Sequence, residues 1–324
     1  MRVLLTGSSG WLGRFLAPRL RKSGHGVVGL DVVAGAATDV IGSVADRAIV
    51  ERAFGEHGIE AVIHAGALHK PDIARFSPQA FVDANVSGTL NLLQAAVAAR
   101  HDRFVFTSTT SLMISRAIAE ARGTAAVWLD EATGPLEPRN IYGVTKLTAE
   151  GLCRLFHLEH GLNCTVLRTG RFFPEEDDTD NALSGENLKA NELLHRRLTV
   201  EDAAEAHVAA LEQTPDGFEV FVVSAPPPFA RSDAEALQSD AARVIAGYFP
   251  DAAELYARRG WRLPARIGRV YDPGKAERRL GFRAATDFAA VLGALRTGAP
   301  LPFAHDPDYI SPSTRLTHQR LTKN

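Results

Sequence analysis

The 324-residue sequence predicts an α/β protein, a doubly wound parallel sheet carrying a small C-terminal lobe. Three observations predict it. Short, continuously apolar runs alternate with longer stretches of helical periodicity through the first two thirds of the chain, the texture of strands covered on both faces by crossover helices. The first run ends in a glycine-rich turn that opens directly into a helical stretch. The second run ends in an acid, Asp31.

Strands are expected over residues 3–5, 27–30, 61–64, 104–107, 165–168 and 220–223, and helices over 11–22, 46–57, 78–100, 140–160 and 199–213. Repetition of this kind gives parallel pairing through right-handed crossovers, a Rossmann sheet. Past Ser224 the texture changes. Pro226, Pro227 and Pro228 remove ladder donors in succession, so the sheet ends there. Helical periodicity resumes over 232–246 and 252–259. The chain thus divides into a sheet domain at 1–170, to which 199–224 returns, a small lobe made of 171–198 and 225–299, and a tail at 300–324. With four prolines and little periodicity, the tail reads as a surface wrap or a partly disordered end.

Composition narrows the function classes. There are 36 Lys and Arg against 38 Asp and Glu, a net charge of −2, with no long basic run, which argues against a nucleic-acid partner. No apolar run reaches the ~18 residues of a membrane span, and glycine arrives too early at the start for a signal-peptide core. The two cysteines, Cys153 and Cys164, form no disulfide framework and read as buried thiols of a reduced, cytoplasmic protein. His64, His69 and His101 lack metal-ligand spacing, so no metal is expected.

The turn after the first strand is Thr6-Gly7-Ser8-Ser9-Gly10-Trp11-Leu12-Gly13. Its glycines have mechanical jobs: one permits the tight turn, one lets backbone approach a pyrophosphate, one lets the helix pack close to the sheet. Backbone N–H groups around Gly7, Ser9, Gly10, Trp11, Leu12 and Gly13 then face the phosphates at a helix N-terminus. Asp31 is placed to accept hydrogen bonds from the adenosine ribose hydroxyls and to repel a 2′-phosphate, which selects NAD over NADP, although Arg14 one turn into the helix softens that preference.

A second constellation is Tyr142-Gly143-Val144-Thr145-Lys146 at the start of a helix. Residues i and i+4 share a face, so phenol and ammonium can point into one cleft. A phenol of pKa about 10 is a poor base, and a neighbouring ammonium favours phenolate. Tyr142 can then exchange a proton with a substrate hydroxyl. The fourth predicted strand continues into Thr107-Ser108-Thr109-Thr110-Ser111, a hydroxyl cluster at the carboxyl edge of the sheet, where ligands of such folds sit.

With these residues in view, the sequence resembles the extended short-chain dehydrogenases/reductases, in the NAD-dependent epimerase/dehydratase group that includes UDP-galactose 4-epimerase. The resemblance runs from Met1 to about Leu292 and rests on TGSSGWLG (6–13), Asp31, VIHAGA (62–67), NVSGTLNLL (85–93), FVFTST (104–109), YGVTK (142–146), VEDAAEAH (200–207) and YDPGKAERRLGF (271–282). It implies that Thr109 orients the substrate alcohol, that Tyr142 is the acid/base, and that Lys146 holds the nicotinamide ribose and lowers the phenol's pKa. It implies a proton-relay role for Asn85 and backbone contacts to the cofactor from Ala65, Gly66 and Ala67. It implies that Thr107, Ser43 and Val44 fall beside the cofactor and that Phe172 and Phe173 fall where the family lines the nicotinamide pocket. Helices 78–100 and 140–160 pair across a homodimer in the family.

Three departures carry meaning. Ser43 stands where the family usually has an Asp against the adenine. Thr110-Ser111 replaces the Asp-Glu pair of related dehydratases, which removes the acid and base of an elimination. The segment from Arg171 to Thr199 has 29 residues, shorter than in relatives that clamp a nucleoside diphosphate, and Arg171 replaces an asparagine. A guanidinium there can pair with a carboxylate or phosphate or with Glu175 or Glu176, whereas the charges of His195, Arg196 and Arg197 read as a solvated cluster. The expected function is an NAD-dependent oxidoreductase acting at a secondary alcohol of a sugar, sugar acid or small polyol. The alternatives are an NDP-sugar 4-epimerase of the UDP-glucose/galactose kind and a non-catalytic dinucleotide sensor.

Overall fold

In the computed structural model the described residues are 1–176, 182–312 and 314. In chain order the sheet side comprises β1 (Arg2–Thr6), α1 (Trp11–Lys22), β2 (Gly26–Asp31), β3 (Val40–Ile41), α2 (Arg47–His57), β4 (Ala61–His64), α3 (Gly88–Ala98), β5 (Arg103–Thr109), β6 (Val127–Leu129), α4 (Ile141–His160) and β7 (Asn163–Thr169). It continues with α5 (Gly185–Glu192), α6 (Val200–Gln213), β8 (Phe218–Val223), α7 (Ala234–Tyr248), α8 (Ala252–Arg258), β9 (Arg269–Tyr271), α9 (Gly274–Leu280) and α10 (Phe288–Thr297). Seven strands pair in parallel in the order β3-β2-β1-β4-β5-β7-β8. The order reverses between β1 and β4, whose carboxyl ends lie side by side with Thr6 opposite His64, and a doubly wound sheet opens its ligand crevice at that reversal.

Apolar side chains on alternate strand positions cover both faces. On one face α1 packs through Leu16, Ala17 and Leu20 against the alanines of α6, Ala203, Ala206 and Ala210, whose small side chains let the two helices approach closely. On the other face Val50, Leu92, Ala149 and Cys153 close over Val62, Phe104 and Val166. A third core joins α5, α7, α8 and α10 through Leu193, Leu194, Leu237, Ile245, Tyr256 and Val291. Asp202 ties the lobe to the sheet. It caps α6 with Thr199 and accepts Ala285 N (2.7 Å) and Thr286 N (3.1 Å).

The expected helix over 78–100 is interrupted. It starts as a single turn at Pro78–Phe81, widens into a π-helical segment at Val82–Ser87, and only then becomes α3. Thr89 Oγ1 donates to the Asn85 carbonyl, 2.7 Å away, and such side-chain competition for a backbone acceptor locally alters the helical ladder. The parallel pair β6–β9 was not expected from sequence, because three residues per strand are too few to display a period.

Candidate active site

The glycine turn shows why glycine is required. Gly7 has φ +72°, and a Cβ there would sit 2.8 Å from Gly66 Cα. A Cβ on Gly13 would sit 2.2 Å from Gly7 O. Both neighbours are backbone and cannot yield. Helix α1 begins at Gly10 with no side-chain cap and no acid in its first turn, so its N-terminal N–H groups and dipole are left for an anion. Gly7, Gly10, Trp11 and Leu12 line a cleft of about 1780 Å³, larger than the roughly 300–1000 Å³ of a usual small-molecule site.

Asp31 lines the same cleft. Its carboxylate accepts Ser9 N (2.9 Å) and Val33 N (3.2 Å), while burial pushes its pKa upward. Ser43 and Val44 border the cleft too, with Val44 O held by Asn91 Nδ2 at 2.9 Å.

Past β4, Ala65, Gly66 and Ala67 form the cleft floor. A buried relay fixes this turn. Gly66 N donates to Thr6 Oγ1 (3.0 Å), Thr6 Oγ1 meets His64 Nδ1 (2.7 Å), and His64 Nε2 meets Thr89 Oγ1 (3.1 Å). The Thr89 proton is spent on the Asn85 carbonyl, so His64 Nε2 donates and Nδ1 accepts. Burial, with the Lys146 charge nearby, lowers the His64 pKa to about 3, so the ring is neutral and structural. Among the described residues no group of three or more His, Cys, Asp or Glu is placed to hold a metal ion.

Asn85 is fully engaged. Its amide donates to Leu68 O (2.9 Å) and Thr145 Oγ1 (3.1 Å) and accepts Leu68 N (2.8 Å). Thr145 Oγ1 in turn donates to Tyr142 O at 3.0 Å. The relay residue expected from the resemblance therefore reaches the helix bearing Tyr142 through Thr145.

Asn140 caps α4 by accepting Gly143 N at 2.9 Å, which sets Tyr142 in the first turn. Tyr142 lines the cleft and its hydroxyl hydrogen-bonds Thr109, at the end of β5. The Thr109 hydroxyl also accepts Ser111 N at 3.1 Å. Lys146 is buried with Nζ 4.1 Å from the Phe106 ring centroid. Thr107 borders the cleft, but its hydroxyl is spent on His207 Nε2 at 2.7 Å.

Burial pushes the Tyr142 pKa up to about 12, with the Thr109 hydrogen bond opposing and the Asp72 charge adding to the rise. Burial also brings Lys146 down to about 7 from 10.5, with Glu150 opposing. Between those two values the unfolded chain keeps a proton that the folded chain has lost, so this group makes stability rise with pH there, by up to about 1.4 kcal/mol per pH unit. In urea unfolding from pH 7 to 10, the wild type is expected to gain stability relative to Lys146→Met. A gap between the two that ignores pH would contradict the assignment.

At the other end of the cleft, Phe172 and Phe173 stack at 4.8 Å, and Phe173 stacks on His69 at 4.7 Å. Trp11 Nε1 donates to Phe172 O at 3.2 Å, joining the glycine turn to this aromatic wall. Arg171 lines the cleft beside Glu192. The reading of 195–197 as solvated charge is overturned, because the chain folds these residues inward against α5. Arg197 is buried and pairs with Glu192 at 2.8 Å, as does Arg196. Together with Arg171 these charges hold Glu192 at about 2 against its desolvation. His195 donates Nδ1–H to Arg269 O (2.9 Å), and burial keeps it neutral.

Arg269 and Tyr271 of β9 also border this end, which sequence reasoning missed. Only the motif at 271–282 pointed toward them. The tail is likewise a wall of the cleft, through Tyr309 and Ile310 among others.

Sheet order, glycine turn and cleft together define a class, the Rossmann-type dinucleotide-binding proteins of the extended short-chain dehydrogenase/reductase kind. A profile of the NAD dependent epimerase/dehydratase family matches residues 3–224, and the chain belongs to that family. Its cofactor is accordingly NAD, and the uncapped, acid-free start of α1 with its glycine-only approaches fits a pyrophosphate.

The chain is 35% identical over 181 residues to an L-arabinose 1-dehydrogenase (NAD(P)(+)) of Haloferax volcanii, covering 52% of this chain and 66% of that one. It is 28% identical over 176 residues to a UDP-glucose 4-epimerase of Azospirillum brasilense, covering 52% and 48%. It thus spans between about half and two thirds of the length of these relatives. Among solved structures, the UDP-glucose 4-epimerase of Thermotoga maritima, with UDP-glucose, superposes with a TM-score of 0.64 at 22% identity over 92% of this chain and 99% of that one. A short-chain dehydrogenase/reductase superfamily protein of Agrobacterium tumefaciens, with bound NAD, gives 0.65 at 23% over 100% and 99%. At such identity these two show the fold, and the fold class and family resemblance read from the sequence both hold.

Proposed function

We propose that the protein is an NAD-dependent oxidoreductase acting at a secondary alcohol of a sugar, sugar acid or small polyol, with Tyr142 as the acid/base. The observation that carries this reading is the convergence of Thr109, Tyr142 and Lys146 on the cleft that the glycine turn also lines. NAD when bound supplies the hydride acceptor, and the chain's own residues handle the proton. Thr109 orients the alcohol, and the Tyr142 oxygen takes its proton or returns one in reduction. Burial keeps the phenol protonated at rest, so positive charge beside it is what makes it a base, and a protonated Lys146 provides that charge. In this reading residues 1–170 and 199–224 hold the cofactor, and residues 171–198 and 225–299 receive the substrate.

The substrate end is cationic. Arg171, Arg196, Arg266 and Arg269 line it together with Glu175, Glu176 and Glu192, and among the described residues the buried Nε atoms of Arg196 and Arg269 find no hydrogen-bond partner. This favours a substrate with a carboxylate or phosphate. It also keeps a second reading, an NDP-sugar 4-epimerase, although the short stretch from Arg171 to Thr199 leaves little chain to clamp a nucleotide. The deciding experiment supplies NAD with free sugars, uronic and aldonic acids, and UDP-sugars. NADH appearing in step with oxidation of a free sugar or acid supports the oxidoreductase. Interconversion of UDP-sugars without net NADH transfers the assignment to the epimerase, and silence on every substrate overturns both.

Val144, Leu155 and Leu158 of α4 are 45%, 43% and 70% exposed on one helical face, which supports a homodimer through that helix. A single-chain mass by light scattering would refute it. No helix among the described residues is long and apolar enough to cross a membrane. The buried, unbridged Cys153 and Cys164 support a cytoplasmic location, which fractionation of the source cells tests.

A further inference from the structure

The tail crosses the mouth of the cleft and is fastened on both sides of it. On the substrate side Asp306 N donates to Pro174 O at 3.0 Å. His305 Nδ1 meets Lys189 Nζ at 3.0 Å, and its Nε2 lies 3.7 Å from Glu176. In the middle, the Tyr309 ring meets the edge of Trp11 at 5.1 Å, directly over the glycine turn. On the adenosine side Pro312 borders a smaller pocket together with Ser9 and Val33, whose backbone N–H groups donate to Asp31. The buried Thr314 donates to Asp72 Oδ1 at 3.3 Å across 242 positions of sequence. Asp72 is itself buried and held by His69 Nδ1 at 2.7 Å and His69 N at 2.9 Å.

Along this segment Asp306, Pro307, Asp308 and Ile310 are exposed, and Pro307, Asp308 and Ile310 also line the cleft. Exposed backbone of this kind is where a segment opens at small cost. Beneath it the cleft keeps its volume of about 1780 Å³, so the strap roofs the site and leaves it unfilled.

We propose that residues 305–312, with Thr314, form a strap over the dinucleotide, so that NAD enters and leaves only when Tyr309 lifts from Trp11. The proposal rests on the cleft being the NAD site. A dehydrogenase must exchange its cofactor every turnover, and a segment that gates exit sets the rate of that exchange. Tyr309 and Thr314 thereby become cofactor-retaining residues that touch none of the reacting atoms.

The test measures NADH binding and release by stopped-flow fluorescence, chasing bound NADH with excess NAD. The wild type is compared with Tyr309→Ala and with a chain ending at Phe303. Tyr309→Ala is expected to speed release roughly 3- to 10-fold, the worth of one aromatic pair, and the truncated chain at least as much. Association should also quicken, and thermal unfolding without cofactor should be unchanged in Tyr309→Ala. Release rates equal to wild type in both variants overturn the strap while leaving the cofactor reading intact. Tighter NADH binding on truncation also overturns it, since the segment would then be competing with the dinucleotide. A wild type that binds no NADH refutes the cofactor reading, and the strap falls with it.

Discussion

Tyr142→Phe is expected to lower turnover by roughly 100- to 10,000-fold, the range for loss of a positioned acid/base, while leaving NAD affinity within about twofold. The ring stays: it lines the cleft at the head of α4, and phenylalanine fills the same space. What goes is one oxygen, the atom that Thr109 hydrogen-bonds and that burial holds protonated to about 12. The expected separation is diagnostic, because a residue serving only to bind would move affinity and leave turnover per bound complex alone. Single-turnover measurement with NAD saturating checks it. Turnover near the wild-type value would remove Tyr142 from the chemistry and take the enzyme assignment with it.

Arg168→Met is expected to destabilise the fold by about 3–5 kcal/mol, the cost of leaving a buried partner charge uncompensated. Arg168 on β7 and Glu150 on α4 are both buried, joined by Nε–H···Oε1 at 3.0 Å and Nη2–H···Oε2 at 2.7 Å. Ser108 donates a third bond to Glu150 Oε1 at 2.6 Å. The cluster is the rivet beneath the site. Ser108 precedes Thr109, and Glu150 lies one turn after Lys146 and works to raise its pKa. Removing the guanidinium leaves the buried Glu150 carboxylate without its ion-pair partner. The double replacement Arg168→Met with Glu150→Leu should recover most of the loss, since an apolar pair of similar volume often matches a buried ion pair. Urea unfolding of both singles and the double closes the cycle. A loss under 1 kcal/mol for Arg168→Met alone would show that the pair is solvated.

Much of this was legible in one dimension. Apolar runs and helical periodicity placed α1 on its observed boundaries and all six expected strands within two residues. Gly7 and Gly13 were identified from spacing because their requirement is backbone geometry, and a turn between a strand and a helix can be read locally. Tyr142 and Lys146 were visible because i and i+4 on a helix fix a shared face without reference to any other element.

The illegible part is the part made by distance along the chain. Nothing near Arg196 or Arg197 announces that Glu192 would draw them inward, because burial depends on what α5 packs against. The Thr107 hydroxyl reads as available to a ligand until α6 brings His207 to it. Ser108 and Thr109 adjoin in sequence and take different tasks, the first hydroxyl donating to Glu150 and the second bonding Tyr142, because alternate residues of a strand point to opposite faces.

The sequence alone therefore determined the sheet, the phosphate turn, the acid beyond the second strand and the tyrosine–lysine pair, all of which rest on periodicity and short-range backbone sterics. Tertiary structure decided protonation and enclosure. Burial raises Tyr142 and lowers Lys146, and the tail fastens to Asp72 over the cleft. Desolvation and closure are properties of the surroundings a residue acquires on folding, and those surroundings come from segments far away in the chain.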